Sequence, residues 1–569
     1  MVRPLTVIEE RQVPKDKIFS SPLRFVRTNK GEKAKALKAK SRLVVPGHKD
    51  PDLGEFRTDS PTTSTLAVQV AATIAASKDW EGETFDVSTA FLSGKETDRN
   101  VYIRAPKDGL PSVEGQKGIK PLAVLELLKG AYGLAEAPRL WYLRARELLD
   151  KCGFKELRIC RSVFALRDKD GTLRGIVTLH VDDGLIFGEP KEKTYKEARR
   201  KINEHFNIKE WHRLDAKVKR EDEEYLGARW NQDIKNHTIT VDMDRYFGTI
   251  VPDVPPRGVS DETELNAAQQ KAFRSQVMKL SWPVRHVLPQ LAYGISYLTG
   301  KANQATFADW RLLYKLQKEA AEIVERKEAC IVFRKLNLDD LVVVTSLDAS
   351  FAKEEGKKSQ CGFISMITEN KILEEPTLCD IVEFQSTRIS RVVKSTMAAE
   401  SAGLSLALDR QLYLRLLLEA ILFGEPNMGP NWRHELKIPG ILVTDARSLH
   451  DHINKTGSLP SERQTLIDLL IARDLTEAET IMVRWVPTTH QLADILTKQM
   501  KPTAILNKLL KQQLYCLVGD EAEQQEESRR AELRKGQRDR RKVRMKEIQK
   551  KTTITTITKP KPTPRPSRG

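Results

Sequence analysis

The sequence has no apolar run near the roughly 18–20 residues that a bilayer-spanning helix requires, so no segment of it reads as a membrane span. Its first residues, MVRPLTVIEERQVPKDK, lack the apolar centre of a secretory signal. Cysteine is scarce. Cys152, Cys160, Cys330, Cys361, Cys379 and Cys516 are scattered over 569 residues with no CxxC pair. That argues against a structural zinc site and against a disulfide framework, and makes a reducing compartment, cytosol or nucleus, the expectation. There is no internal repeat.

What is present is enough for several cores. Hydrophobic residues make up 40% and charged residues 30% of the chain, a balance that buries apolar surface and keeps the exterior charged. At this length about three to four domains are expected. The net charge is +17, but it is unevenly placed: Arg529–Arg568 holds 16 Lys or Arg against Glu532, Asp539 and Glu547. A basic tail on a nearly balanced body suggests a tether for a polyanion, with a solvated tail as the plain alternative. The ending KPKPTPRPSRG has too little apolar content to fold.

Two groups of carboxylates stand out. In GIVTLHVDDGLIFG (175–188), two β-rich runs flank Asp182-Asp183-Gly184, the pattern of a hairpin. Adjacent carboxylates at a hairpin tip repel each other and make no core contact. A divalent cation with hard oxygen ligands would make them favourable, although an ordinary solvated turn fits the residues equally well. Upstream, ETFDVSTAFLSG (83–94) places Asp86 at the end of a strand-like run, a position also suited to a helix cap. Between them, LLKGAYGLAEAPRLWYLRARELLDKCGF (127–154) predicts a helix opening near Pro138. Its Trp141, Ala145, Leu148, Leu149 and Cys152 would face a core.

Further on, LVVVTSLDASF (341–351) reads as a buried strand ending in Asp348, and CGFISMI (361–367) as another strand. STMAAESAGLSLALDRQLYLRLLLEAILFG (395–424) reads as a long helix with Glu400 in its second turn, ILVTDARSL (441–449) as a strand ending in Asp445, and TIMVRWVP (480–487) as a strand followed by a short helix with Asp494. Singly, Glu400 fits a helix-surface acid and Asp445 a helix cap. Together, acids at element ends can converge beyond a sheet.

These segments resemble the reverse transcriptase and RNase H region of copia-type retrotransposon polyproteins. DVSTAFLSG, LLKGAYGLAEAPRLW and HVDD stand in the order of that family's DVKTAFLNG, LxKSLYGLKQAPRxW and YVDD. SRLVVPGHKDPD (41–52) and EYLGARW (224–230) resemble two further motifs. LDASFA, STMAAESAGL, TDARSL and VPTTHQLADILTK resemble the RNase H series, and 279–321 resembles the connector. The resemblance covers roughly residues 18 to 500. It implies an α/β (α+β) architecture: polymerase fingers and palm over 18–240 after an N-terminal extension (1–17), a helical thumb and connector over 241–338, an RNase H-like mixed-sheet domain over 339–505, and a charged, mostly disordered tail over 506–569.

It also implies an RNA-directed DNA polymerase with linked RNase H. Asp86, Asp182 and Asp183 would hold Mg²⁺, or Mn²⁺ in its place, in the palm, and Asp348, Glu400, Asp445 and Asp494 would hold a second pair of ions. Arg42 would grip the triphosphate and Phe91 would exclude a ribose 2′-hydroxyl. The partners implied are an RNA template, a DNA primer, an RNA–DNA hybrid and dNTPs, with no membrane; the sequence sets no oligomeric state. His490, shortly before Asp494, is a candidate for proton transfer or product release, although a histidine there is more often just a polar helix-start residue.

Two positions depart from the family. His180 stands where an aromatic Tyr or Phe is usual, and Glu136 where Gln is usual. A carboxylate near the nascent pair would repel a triphosphate unless paired, with Arg139 the candidate partner. These departures motivate the alternative, a decayed or domesticated copy that binds nucleic acid without catalysis. Nothing in the sequence resembles the integrase, protease or nucleocapsid parts of such a polyprotein.

Overall fold

The helix α1 (Thr65–Ser77), TLAVQVAATIAAS, has no charged residue, its polar groups are limited to Thr65, Gln69, Thr73 and Ser77, and every residue from Leu66 to Ser77 is buried. A helix of that kind needs neighbours all round, and the architecture of the chain follows from supplying them. The computed structural model describes residues 2–29, 39–112, 117–215, 224–354, 358–455 and 462–517. The whole basic tail lies outside the described residues, as do residues 216–223 of the charged segment DAKVKREDEEY (215–225) and Lys33, Lys35 and Lys38 of a basic N-terminal segment.

Before α1, a hairpin of β1 (Arg24–Asn29) and β2 (Ala39–Val44) pairs Val26 with Arg42 and Thr28 with Lys40. It adjoins a small core containing Phe19, Leu23, Val45, Ile103 and Leu125. After α1 comes the sheet that carries the first carboxylates. Its strands are β3 (Glu81–Val87), then, beyond the helix α2 (Ala137–Lys151), β4 (Phe154–Glu156), β5 (Val163–Arg167), β6 (Leu173–His180) and β7 (Asp183–Gly188), and, beyond the helix α3 (Lys193–His205), β8 (Ile208–Arg213). They lie in the order β8-β3-β7-β6-β5-β4. The expected face of α2 is buried at Trp141, Ala145, Leu148 and Leu149, with Pro138 in its first turn; these side chains join Cys152, Phe85, Phe154, Phe164 and Ile186 in one core.

Helices α4 (Ala267–Val287), α5 (Ala292–Gly300) and α6 (Phe307–Glu325) fill the region read as helical. Asn266 with Gln269, and Thr306 with Asp309, form capping boxes that start α4 and α6. α6 buries Leu313, Leu316 and Gln317 along one face.

The C-terminal sheet contains β9 (Leu341–Glu354), β10 (Lys358–Glu369), β11 (Thr377–Arg388), β12 (Gly440–Thr444), β13 (Ile481–Trp485) and the short β14 (Leu514–Tyr515). The helix α7 (Thr396–Phe423) lies between β11 and β12 in sequence. The order is β13-β12-β9-β10-β11-β14. The β9–β12 and β12–β13 pairs are parallel and the others antiparallel.

One apolar core runs through α1, helices α4 to α6 and this sheet, joining Ala71, Ile74, Leu313, Val343, Ile381 and Leu417. Polar contacts fasten the same junction. The Ser77 hydroxyl accepts from the Leu336 amide at 3.1 Å. On the far side, the Arg167 guanidinium of β5 donates to the carbonyls of Ile421 (2.5 Å), Leu422 (3.0 Å) and Ala420 (3.2 Å) at the end of α7. Those carbonyls have no partner within their own helix.

Two candidate metal centres

Antiparallel pairing brings the first carboxylates together. Asp183 on β7 lies directly opposite Asp86 on β3, and opposite His180 on β6. Asp182 fills the turn between β6 and β7, with its carbonyl accepting from the Val87 amide at 2.9 Å. The turn is tight: Val181 adopts a φ of +61°, unusual for a β-branched residue. The Trp141 indole holds it, donating to the Val181 carbonyl at 2.6 Å. Gly184 is required beside it, because a Cβ there would come within 2.1 Å of the Phe85 ring on β3.

Among the described residues, none of these three carboxylates forms an ion pair. Burial pushes Asp183 up to about 6, and the charges of Asp182 and Asp86 push the same way. Asp182 is raised by burial and by Asp86, and drawn back by Lys40 and Arg42. The raised proton affinity of Asp182 and Asp183 therefore reflects burial first and repulsion between the carboxylates second. Such a group suits a divalent cation with oxygen ligands.

Arg42 and Lys40 share one face of β2, and both act on Asp182. The Arg42 guanidinium lies 5.6 Å from the centre of the Tyr132 ring, and its Nε is buried without a partner. Phe91, in the turn at residues 90–93, meets the same Tyr132 edge-on at 5.6 Å. Tyr132 thus joins the two residues expected on the nucleotide side. Sequence reading gave it no role, although it lies inside the AYGLAEAPRLW motif.

Glu136 corrects an expectation. Its partner is not Arg139, which pairs with Asp59 at 2.7 Å. Instead Glu136 accepts from the Thr97 hydroxyl at 2.9 Å and from Arg99 Nε at 3.0 Å. Arg99 also binds Asp50 at 2.5 Å and Asp52 at 3.2 Å. The Asp50 side chain is wholly enclosed and Arg99 lies 3.9 Å from the centre of the Phe56 ring. The His180 Nδ1 is buried without a hydrogen-bond partner.

The second group converges more tightly. Carboxylate oxygens of Asp348, Asp445 and Asp494 lie within 4.8 Å of one another. Asp348 does not end its strand as expected. β9 continues to Glu354, so Asp348 sits mid-strand opposite Gly362. Asp445 directly follows β12, and Asp494 lies in a single 3₁₀ turn at residues 493–496. Glu400, in the second turn of α7, is buried, and its Oε2 has no hydrogen-bond partner. His490 lies in a separate turn at residues 488–490.

Burial pushes Asp348 up to about 7; Lys498 works against this, while Asp445 and Asp494 add to it. Burial, then the charges of Asp348 and Asp445, raise Glu400 well above the usual carboxylate range. Burial and Asp494 raise Asp445, and a hydrogen bond from the Thr488 hydroxyl at 2.9 Å offsets part of the rise.

Three supporting side chains were not foreseen. Thr497 donates its hydroxyl to Asp348. Gln491 donates to the Leu347 carbonyl at 2.9 Å and accepts from the Ala493 amide at 3.1 Å, fixing the segment before Asp494 against β9. Lys498 reaches Asp494 at 2.6 Å and Asp348 at 3.4 Å. All three lie within VPTTHQLADILTK, where the sequence points only to Asp494 and His490. An orphaned buried oxygen among four acids fits a cation bound by oxygen ligands.

Comparison with known proteins agrees with the motifs. Residues 7–258 match the model of the family described as reverse transcriptase (RNA-dependent DNA polymerase). The chain is 24% identical over 479 residues to the retrovirus-related Pol polyprotein from transposon RE2 of Arabidopsis thaliana, covering 82% of this chain and 30% of that protein. It is 32% identical over 158 residues to the Pol polyprotein from transposon TNT 1-94 of Nicotiana tabacum, covering 28% of this chain and 11% of that one. The chain therefore spans less than a third of the length of these relatives. Among solved structures, a foamy viral protease-reverse transcriptase in complex with double-stranded DNA aligns with a TM-score of 0.45 at 11% identity, over 86% of this chain and 67% of that one. RNase H1 from Halobacterium salinarum aligns with a TM-score of 0.18 at 16% identity, over 27% of this chain and 93% of that one. By sequence, residues 7–258 are similar to the reverse transcriptase family, and most of the chain is similar to the Pol polyproteins of copia-type retrotransposons.

Proposed function

We propose that the chain is an RNA-directed DNA polymerase with a linked RNase H, copying element RNA into DNA and cutting the RNA strand of the resulting hybrid. The observation that carries the reading is the pairing of Asp86 with Asp183, with Asp182 in the adjoining turn: three carboxylates gathered without an internal cation. Fingers and palm would end near residue 240 and the connector near 338.

Asp86, Asp182 and Asp183 would hold Mg²⁺, or Mn²⁺ in its place, as would Asp348, Glu400, Asp445 and Asp494, and the ions would supply charge neutralisation and an activated oxygen nucleophile at each centre. The protein's own part is mostly placement. Trp141 fixes the turn that carries Asp182. Arg42, steadied on Tyr132, would meet the triphosphate of a dNTP. Phe91, packed on the same ring, would occupy the space beside the sugar. In the second centre, Thr497 and Gln491 hold Asp348 and the Asp494 turn in register for a hybrid.

The test is extension of a DNA primer on an RNA template with Mg²⁺, with Asp182→Asn as control, alongside cleavage of an RNA–DNA hybrid with Asp348→Asn as control. Extension lost in the first variant and cleavage lost in the second is the expected pattern. Hybrid binding that is independent of Mg²⁺, with neither reaction, would instead identify a non-catalytic binding protein, the reading that His180 motivates. Cleavage without extension would identify a chain in which only RNase H works.

A further inference from the structure

Four acids drawn together inside a protein repel one another, and the second centre contains a feature that answers this. We propose that Lys498 is a resident counter-cation: its ammonium group holds Asp348 and Asp494 in the metal-free chain and swings out when a divalent ion takes their oxygens. The inference rests on the metal-site reading given above.

The geometry is that of a competitor. Lys498 Nζ lies 2.6 Å from Asp494 Oδ1 and 3.4 Å from Asp348 Oδ2. The carboxylates of Asp348, Asp445 and Asp494 surround the same small volume. A magnesium ion needs its oxygens at about 2.0–2.1 Å, so an ion bound to those two oxygens would sit only a few ångströms from the ammonium. Two cations at that separation repel strongly in a partly buried place. They do not share the pair of carboxylates.

The lysine can leave. Its side chain is 30% exposed, whereas those of Asp348 and Asp494 are 2% and 5% exposed. It therefore reaches in from the solvent side. Lys498 lines an open groove of about 1260 Å³ that runs between α6 and the segment after Asp494. Glu319, Glu322 and Glu328 line the same groove together with six other Lys or Arg side chains, so a released ammonium enters open solvent rather than a new buried ion pair.

The consequence is a binding site whose metal affinity is set by an exchange of cations rather than by the carboxylates alone. Without metal the lysine prevents the acids from splaying apart. With metal it is displaced, and the cluster does not pass through a state of uncompensated charge.

The experiment measures Mn²⁺ binding by calorimetry and the melting midpoint by thermal shift. It uses the full chain carrying Asp182→Asn and Asp183→Asn, so that the first centre does not contribute. Lys498→Met and Lys498→Gln are compared with this parent. Both should bind Mn²⁺ about five- to tenfold more tightly. Both should melt below the parent in EDTA, and the gap should close at saturating Mn²⁺. Lys498→Gln keeps a hydrogen-bonding end and serves if the methionine variant fails to fold. Unchanged affinity and unchanged melting in EDTA, or weaker Mn²⁺ binding in both variants, would overturn the proposal. If Asp348→Asn leaves Mn²⁺ binding as it is in the parent, no ion binds at this cluster, and the metal-site reading falls along with the proposal. Binding that is lost with Asp348→Asn but indifferent to Lys498 sinks the counter-cation alone.

Discussion

On the proposed polymerase function, Glu136→Gln separates a damaged site from a competent one. A free carboxylate facing a triphosphate at about 4 Å would cost about 4 kcal/mol at an effective dielectric near 20, on the order of a thousandfold in nucleotide affinity. The structure gives this carboxylate two donors, Thr97 at 2.9 Å and Arg99 at 3.0 Å. Arg99 is itself shared with Asp50 and Asp52. A charge engaged in this way is offset locally, and its hydrogen bonds turn it towards β-strand residues 96–104. Replacing it with the family's glutamine keeps the acceptor oxygen and removes a charge that Arg99 already offsets in part, while Lys17 takes up Asp52 at 2.5 Å. We therefore expect the KM for dNTP in primer extension on an RNA template to change by less than about threefold. The assay is steady-state incorporation of a single nucleotide at varied dNTP concentration. A fall in KM of tenfold or more would show that Glu136 repels the substrate, and the pairing with Arg99 would then be the wrong account of its charge.

The same structure makes three other predictions. Asp380, on β11, is fully buried, accepts the Arg334 amide at 2.9 Å, and is pushed up to about 8 by that burial. Because its folded pKa lies above the unfolded one, the unfolded chain holds fewer protons between about pH 4 and pH 8, and stability falls as pH rises through that window. Asp380→Asn should thus gain about 2–3 kcal/mol relative to wild type between pH 5 and pH 7, read as a diverging melting midpoint; parallel pH profiles would contradict this. Arg167→Met removes three donors from the end of α7 and should cost about 1–3 kcal/mol, with faster amide exchange in residues 415–423 and little change in the β3–β7 pair. Exchange that stays slow there would mean that the guanidinium does not fasten the junction. Gly184→Ala must drive a methyl into the Phe85 ring and should cost about 2 kcal/mol or more; an unchanged melting midpoint would count against the β3–β7 register.

Much of this was legible because charge is expensive to bury. Acids at the ends of apolar runs, such as Asp86 and Asp445, announce themselves. The α2 face was legible from helical spacing alone. The length of β9 was not, because Ser346, Asp348 and Ser350 are polar residues buried within a strand and read as the close of one. The Arg99 network was hidden for another reason. It unites positions 50, 52, 97, 99 and 136, and no local pattern links residues so far apart. The sandwiching of α1 did leave a signal, its lack of any charged residue over thirteen positions, which goes beyond what a one-sided sheet can bury.

The two carboxylate groups differ in one respect that their sequences conceal. The first lies at a turn, where Asp86 is exposed and water can screen the repulsion, so it needs no cation of its own beyond the nearby charges of Lys40 and Arg42. The second is enclosed: Asp348, Glu400 and Asp494 are all buried, and repulsion in such a place is strong. An internal countercharge is the physical answer, and Lys498 supplies it from one helical turn beyond Asp494. Burial works against that ammonium, but the Asp348 charge and the bond to Asp494 outweigh it and hold its pKa above the ordinary lysine value. It therefore stays charged across the range in which the acids titrate. The depth of each cluster, more than the number of acids in it, decides whether the chain must carry its own cation.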